Sequence, residues 1–329
     1  MTAPDHTRHR PVLLSTYPTP LQPASRLATA IGLRPEDLWI KRDDLTGLAG
    51  GGNKIRKLEW TVGAALADGA DTLVTTGAAQ SNHARLTAAA GARLGLDVVL
   101  VFPGTPSPSW TGNLVLDSFL GASIFWAGEV DADGLADAAH SVADRLRRAG
   151  ARTAFIPFGG SSSLGARGYL QCARELRAQA SDIRHTVVAL GSGGTMAGLV
   201  AGFGAEAVLG VDTGARSGAA EAVQDFAGPL MSRPLEAADL RVRDDQIGAG
   251  YATYTDEAAA ALSVTARTEG IILDPIYTGR AMAGLIAAVR DGDIRPGEKT
   301  VFLHTGGLPG LFGNADAQAH AARIAKSLD

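Results

Sequence analysis

The densest chemistry in this sequence lies in Leu48-Ala-Gly-Gly-Gly-Asn53-Lys54-Ile-Arg-Lys57-Leu-Glu59, where a lysine stands one asparagine beyond a glycine run. Glycines let backbone pass close over a bound molecule, and a helical pattern begins on the lysine itself. Lys57 stands three residues on, on the same helix face. The two amines can therefore reach one anionic, carbonyl-bearing ligand, one to form a Schiff base and the other to balance a phosphate. The same stretch also reads as a glycine turn followed by a basic, solvated helix start.

Other loops carry groups of matching chemistry. Gly191-Ser192-Gly193-Gly194-Thr195 follows an apolar run and opens a helical pattern at Met196. Successive backbone N–H groups and the helix dipole make such a loop a phosphate cradle without a required cation. It lacks both the spaced glycines with a later acid of a dinucleotide site and the Gly-Lys-Ser/Thr ending of an NTPase loop, so a phosphate monoester is the better ligand. Ser81, Asn82 and His83 follow Thr72-Leu-Val-Thr-Thr76. The first two read equally as helix N-caps and as groups facing a polar or anionic ligand, and the histidine reads as packed rather than as a base. Asp274-Pro-Ile-Tyr277-Thr278-Gly279 and His304-Thr305-Gly306-Gly307 add a phenol and two hydroxyls, either as caps or as site groups.

These loops need strands and helices to hold them. Short β-branched runs at Leu38–Lys41, Thr72–Thr76, Val98–Phe102, Ser123–Trp126, Thr153–Ile156, Thr186–Leu190, Ala207–Leu209 and Thr300–Leu303 predict strands. They alternate with alanine-rich helical patterns from Lys54 to about Asp68, through Gly95, near Leu135–Arg148, from about Leu164, near Ala258–Thr268 and from Gly279. Such alternation implies α/β architecture with parallel sheets covered on both faces, and ligands beyond the carboxyl ends of the strands. Thr213–Gly250 reads as irregular, with one or two helices. At 329 residues, two lobes or one large body are expected. With 46% apolar and 19% charged residues and a net charge of -4, the chain has a substantial core and no basic stripe, which argues against a nucleic-acid partner. Cys172, the sole cysteine, excludes an intrachain disulfide and a cysteine zinc cluster and is expected to pack within a helix. No leader-like apolar stretch opens the sequence and no run is long enough to span a membrane, so a cytoplasmic protein without metal is the expectation.

Taken together, Gly-Gly-Gly-Asn-Lys54-x-Arg-Lys57-Leu-Glu, Gln-Ser81-Asn82-His83, Gly159-Gly-Ser161-Ser-x-Leu164-Gly165, Gly-Ser-Gly-Gly-Thr195, Asp-Pro-x-Tyr277-Thr278-Gly and His-Thr305-Gly-Gly occur in the order of one family. From about Leu38 to Gly313 the chain resembles the pyridoxal-phosphate (PLP) enzymes of the D-cysteine desulfhydrase and aminocyclopropane-carboxylate deaminase family. The resemblance implies the two-domain, open twisted parallel sheets of the tryptophan synthase β fold (fold type II). It places a large discontinuous domain at 1–54 and 163–329, a small inserted domain at 55–162, and the chain in a homodimer. It gives pyridoxal 5'-phosphate as cofactor, with Lys54 holding it, Lys57 at its phosphate, Asn82 at its phenolic oxygen, Gly191, Ser192, Gly193, Gly194 and Thr195 as cradle, and Thr278 and Thr305 near the ring nitrogen. Ser81, Tyr251 and Tyr277 join Lys54 as catalytic groups, and Ser81, Asn82, His83, Ser161, Tyr251 and Tyr277 contact a small amino-acid substrate.

Departures from the family pattern bear on the reaction. The deaminase branch has glutamate and leucine where this chain has Thr278 and Thr305. A hydroxyl supplies no charge to stabilise a protonated ring nitrogen, which favours simple β-elimination to pyruvate, ammonia and the leaving group over ring opening. Relatives commonly carry glutamine and glycine at the positions of Leu86 and Ala252, so D-cysteine itself is doubtful. A cysteate sulfo-lyase, a deaminase, a racemase and a non-catalytic phospholigand binder are the alternatives. Arg85, Arg167 and Arg280 are weighed as partners for an extra anion, and are expected instead at the surface or at helix ends.

Overall fold

The structure, a computed structural model, describes residues 10–325. The first nine residues of the opening stretch and the last four lie outside it. Among the described residues, ten strands form two sheets. β1 (Leu21–Pro23) and β2 (Leu38–Arg42) open the chain, and β3 (Thr72–Thr76), β4 (Asp97–Phe102), β5 (Ser123–Trp126) and β6 (Thr153–Ile156) follow. β7 (His185–Leu190), β8 (Val208–Asp212), β9 (Arg241–Arg243) and β10 (Thr300–His304) complete the set. The order of the six-stranded sheet is β1-β2-β10-β7-β8-β9, and that of the four-stranded sheet is β5-β4-β3-β6. All pairs are parallel except β1 with β2. Strands from residues 72–156 thus build the smaller sheet, while the larger one joins strands from both ends of the chain.

Buried parallel strands must be apolar or β-branched on both faces, and β3 and β7 are buried at every residue. Helices Thr278–Arg290 and Asp256–Glu269 cover one face of the larger sheet, and Ser163–Gln179 and Gly194–Phe203 the other. Helix Lys54–Ala67 is buried from Ile55 to Ala65, so it is enclosed rather than basic and solvated. It packs tightly on Ser163–Gln179: a Cβ at Gly168 would stand 2.1 Å from the carbonyl oxygen of Arg56. Only glycine permits that approach of two backbones.

The end of the Lys54 helix that carries the reactive lysine is also fixed by charge. Arg56 donates to Asp43 through Nε and Nη2, both at 2.8 Å, and to Glu175 at 3.0 Å. Lys41 pairs with the same glutamate, and Tyr169 donates to Asp43 at 2.6 Å. Burial acts against ionisation of Asp43, but the Arg56 charge and bonds outweigh it and hold its carboxyl below the usual range. Removing one member of such a buried set strands its partner's charge, at a cost of about 3–5 kcal/mol.

The strands and long helices that the sequence places are found, with ends moved by a few residues, whereas β1 and helix Ser25–Ala30 precede the first of them and lie outside that reading. The helix expected near Leu135 begins at Ala132, capped by Asp131. Thr213–Gly250 holds helix Ala219–Ala227 and also the edge strand β9, which its charged residues conceal. Helices Gly112–Phe119, Leu308–Phe312 and Ala315–Ile324 escape the pattern because each is short or exposes much of its surface. Cys172 is fully buried in Ser163–Gln179, where burial pushes its thiol up. No described helix is long and apolar enough to cross a membrane. Among the described residues no three His, Cys, Asp or Glu side chains gather as a metal site.

Candidate active site

The loops beyond the carboxyl ends of β3, β4, β6, β7, β8 and β10 surround one cavity of about 210 Å³. Lys54 lies on its wall, at the first turn of its helix. Asn53 aims the preceding loop, its N–H donating to the Thr305 carbonyl at 3.0 Å and its amide to Thr195 Oγ1 at 2.9 Å. Burial lowers the Lys54 amine to about 8, although a hydrogen bond with Lys57 opposes the shift. Lys57, directly behind, is pushed well below an ordinary lysine by burial and then by the Lys54 charge. Among the described residues no carboxylate pairs with either amine.

Lys57 Nζ donates to Ser161 Oγ at 3.0 Å, and the Gly194 N–H donates to the same oxygen at 3.2 Å. With both lone pairs taken, Ser161 must give its proton to Ser192 Oγ, 2.8 Å away. That leaves the hydroxyl proton of Ser192, which lines the cavity, without an acceptor among the described residues. Gly193 holds φ at 93°, turning the chain into helix Gly194–Phe203. A Cβ at Gly194 would meet Ser161 Oγ at 2.7 Å, so the cradle works only with glycine there.

Across the cavity, Ser81 caps helix Asn82–Leu94 by accepting from the Ala84 N–H at 3.1 Å, and its own proton has no acceptor among the described residues. Thr75 Oγ1 spends its proton on the Ile156 carbonyl at 2.8 Å, so the 2.9 Å contact with His83 requires Nε2–H of the histidine to donate. Its Nδ1 is then an unpaired acceptor. Burial, followed by the two lysine charges, keeps that ring neutral. The Tyr251 and Tyr277 hydroxyls bond each other, and burial raises both phenols.

The described cavity wall has one acid, Asp274, which the sequence reading passed over. Its Oδ2 accepts from the N–H groups of Ile276 and Tyr277, and its Oδ1 from the N–H and hydroxyl of Thr278 at 2.8 and 2.7 Å. An aspartate four residues before a helical pattern is the local signal for such a turn. Thr278 is correspondingly buried against Asp274 and has no surface on the cavity, whereas Thr305 does.

Residues 12–306 match the family described as pyridoxal-phosphate dependent enzyme. The chain belongs to it. This PLP-dependent enzyme is 39% identical to D-cysteine desulfhydrase of Yersinia enterocolitica, over 89% of this chain and 92% of that one. It is 41% identical to D-cysteine desulfhydrase of Klebsiella pneumoniae, over 95% and 98%. A solved structure described as an ACC deaminase homologue superposes with a TM-score of 0.86 at 36% identity, covering 97% of this chain and 100% of that one. These relatives establish the expected D-cysteine desulfhydrase and aminocyclopropane-carboxylate deaminase family and fold type II. The residues fit the cofactor: two buried amines without a carboxylate call for an anion and a carbonyl, and the glycine cradle has the shape for a phosphate.

The enzyme's cavity gathers Lys54, Ser81, Asn82, His83, Gly191, Ser192, Gly193, Thr195, Tyr251, Tyr277 and Thr305 on one wall system, with Lys57, Ser161 and Gly194 immediately behind. Other expectations are corrected. Arg85 and Arg280 do stand at helix ends, in the first turns of Asn82–Leu94 and Thr278–Arg290, but are fully buried rather than superficial, because each spends its guanidinium on backbone carbonyls or amides. Arg280 donates to the carbonyls of Thr213, Gly250 and Thr253, clamping the Tyr251 loop. Arg167 lies over the Trp60 ring at 5.3 Å. Leu86 packs in the core under the smaller sheet, so it takes no polar group from the cavity.

Proposed function

We propose that the enzyme eliminates a β leaving group from a small amino acid, giving pyruvate, ammonia and the released group, which is sulfide if the substrate is cysteine. The observation that carries this reading is Lys54: a largely desolvated amine, unpaired with acid, facing a glycine cradle across one cavity. Lys54 Nζ would hold the cofactor, with Ser192, the Gly193–Thr195 backbone and Lys57 at its phosphate and Asn82 at its phenolic oxygen. Bound there, pyridoxal phosphate supplies an aldehyde for amines and a ring that accepts the electron pair released at the α carbon.

The N-terminus of helix Asn82–Leu94 and the Ser81 hydroxyl would receive the substrate carboxylate. Lys54 Nζ would take the α proton, its lowered basicity giving a far larger neutral fraction near working pH than an exposed lysine has. Tyr277 and Tyr251, kept protonated by burial, would hold a proton for the leaving group at their paired hydroxyls. Pro103, Leu135 and Phe158 close the smaller-sheet side of the cavity with apolar surface and exclude water. The Asp274 carboxylate is occupied by four donors and Thr305 brings only a hydroxyl, which supports elimination over ring opening.

The two sheets would mark the two domains, 55–162 inserted in the remainder. A cytoplasmic homodimer is part of the proposal; exposed Phe119 and Phe312, on helices that touch each other, support a subunit contact, which light scattering can test. The reaction is tested by incubating purified protein with D- and L-cysteine, β-chloroalanine, cysteate and aminocyclopropane carboxylate while measuring pyruvate and 2-oxobutyrate. Pyruvate from β-chloroalanine and one cysteine enantiomer is expected. Dominant 2-oxobutyrate would establish the deaminase alternative, and α-deuterium exchange without pyruvate a racemase.

A further inference from the structure

Behind Asn82 lies a polar chain in which each bond direction is forced by chemistry. Arg85 has no acceptor, so its Nη1, 2.9 Å from Asn113, must meet that residue's carbonyl oxygen. The Asn113 amide nitrogen then faces the Gln80 carbonyl at 2.8 Å, which can only accept. Its second proton goes to Asn82 Oδ1 at 3.1 Å, and Arg85 Nη1 donates to the same oxygen at 3.2 Å. Both lone pairs of Asn82 Oδ1 are thereby filled by donors. Rotating the Asn82 amide would set N–H against N–H at two contacts.

We infer that Arg85 and Asn113 are positioning residues that lock the Asn82 amide with its NH2 group toward the cavity. The inference rests on the PLP reading, in which that amide meets the phenolic oxygen of the cofactor. Arg85 Nη2 also donates to the Gly51 carbonyl at 2.8 Å, so one buried guanidinium fixes both the amide and the glycine run leading to Lys54. Gln80 anchors the far end, its Oε1 accepting from the Asn113 N–H at 2.9 Å and its amide donating to the Thr111 carbonyl at 3.0 Å. A donor held against an oxygen favours its anionic form, and an acceptor in that place disfavours it.

Asn113→Asp replaces one of the two donors facing Asn82 with an oxygen, which leaves Arg85 Nη1 alone against that side, so the Asn82 amide should no longer be locked with its NH2 group toward the cavity. The readout is the pH midpoint of the visible absorption band of the PLP-loaded protein. In the wild-type background Asn113→Asp should raise that midpoint by about one unit or more. The added charge alone could also move it, so the same change is made on Asn82→Ala. Action through Asn82 requires the shift to disappear there. An unchanged midpoint in the first background, or an equal shift in both, overturns the inference. If Asn113→Asp does not fold, Asn113→Ala run through the same cycle decides by the same criterion with a smaller shift. Wild-type protein that takes up no PLP sinks the cofactor reading, and the clamp's role with it; a variant-only defect indicts the clamp alone.

Discussion

Capture of pyridoxal phosphate by the apoprotein should accelerate with pH only as far as about pH 8. Condensation needs a neutral amine, and burial lowers Lys54 to about 8 from an ordinary 10.5. At pH 7 such an amine is neutral in roughly a tenth of molecules, against roughly three in ten thousand for an exposed lysine, a gain of ~300-fold in reactive form. The same shift has a stability side. The folded state binds fewer protons than the unfolded one between about pH 8 and 10.5, so stability rises with pH across that window and the cost is fully present below it. Lys54→Met should therefore stabilise the apoprotein at pH 7 by ~3 kcal/mol, an advantage that vanishes above about pH 10.5. Stopped-flow absorbance from about pH 7 to 10 and denaturant titrations of the two apoproteins measure both. A capture rate that keeps climbing tenfold per pH unit to about pH 10 would refute the argument from desolvation.

Gly194→Ala should weaken PLP binding by about tenfold or more, since its Cβ would stand 3.1 Å from Ser161 Cα and displace the serine from Lys57; unaltered affinity in a spectral titration would contradict the cradle. Arg280→Met should lower kcat by about tenfold while the protein stays folded, because three carbonyls of the Tyr251 region lose their donor; wild-type kinetics would remove Arg280 from the argument. Burial raises Asp117 to about 7 despite the Arg85 charge, and neither of its oxygens has a hydrogen-bond partner among the described residues. The folded state then holds a proton the unfolded state has lost, so stability falls as pH rises from about 4 to about 7 and levels off above. Asp117→Asn should remove up to ~3 kcal/mol of that fall between pH 5 and 8, read from denaturant midpoints at the two pH values. Thr278→Glu should destabilise by ~3 kcal/mol or more rather than redirect the reaction, since the carboxylate would be buried beside Asp274; an unchanged melting temperature with 2-oxobutyrate formation would show otherwise.

What could be read from sequence was local. A glycine run with a lysine just beyond it, a glycine loop at a strand end and a serine before a helix each carry their geometry within a few residues, and each lies on the cavity. The burial of Arg85 and Arg280 was not legible because their partners stand far along the chain, Asn113 28 residues and Thr213 67 residues away. Nothing in the neighbouring letters says that an arginine will meet carbonyls instead of water. Thr278 is a different case: a motif aligns positions, whereas its rotamer is decided by the Asp274 turn, which engages the hydroxyl. The edge strand β9 was concealed by its arginines, which pair outward with Glu206, Asp245 and Asp291 groups rather than marking a loop.

The ion cluster that anchors the Lys54 helix also sets a schedule for the newborn chain. Asp43 and Arg56 leave the ribosome close together, but Glu175, which joins Arg56 and Lys41 in the finished cluster, is made 119 residues after Arg56. At about 5–20 residues per second, that interval is roughly 6–24 s. Throughout it, two buried-to-be cations lack their shared acid, and helix Ser163–Gln179, which closes over the Arg56 backbone at Gly168, does not yet exist. A nascent chain arrested before residue 175 should therefore carry Lys54 on an unanchored segment, open to proteolysis and unable to retain its coenzyme.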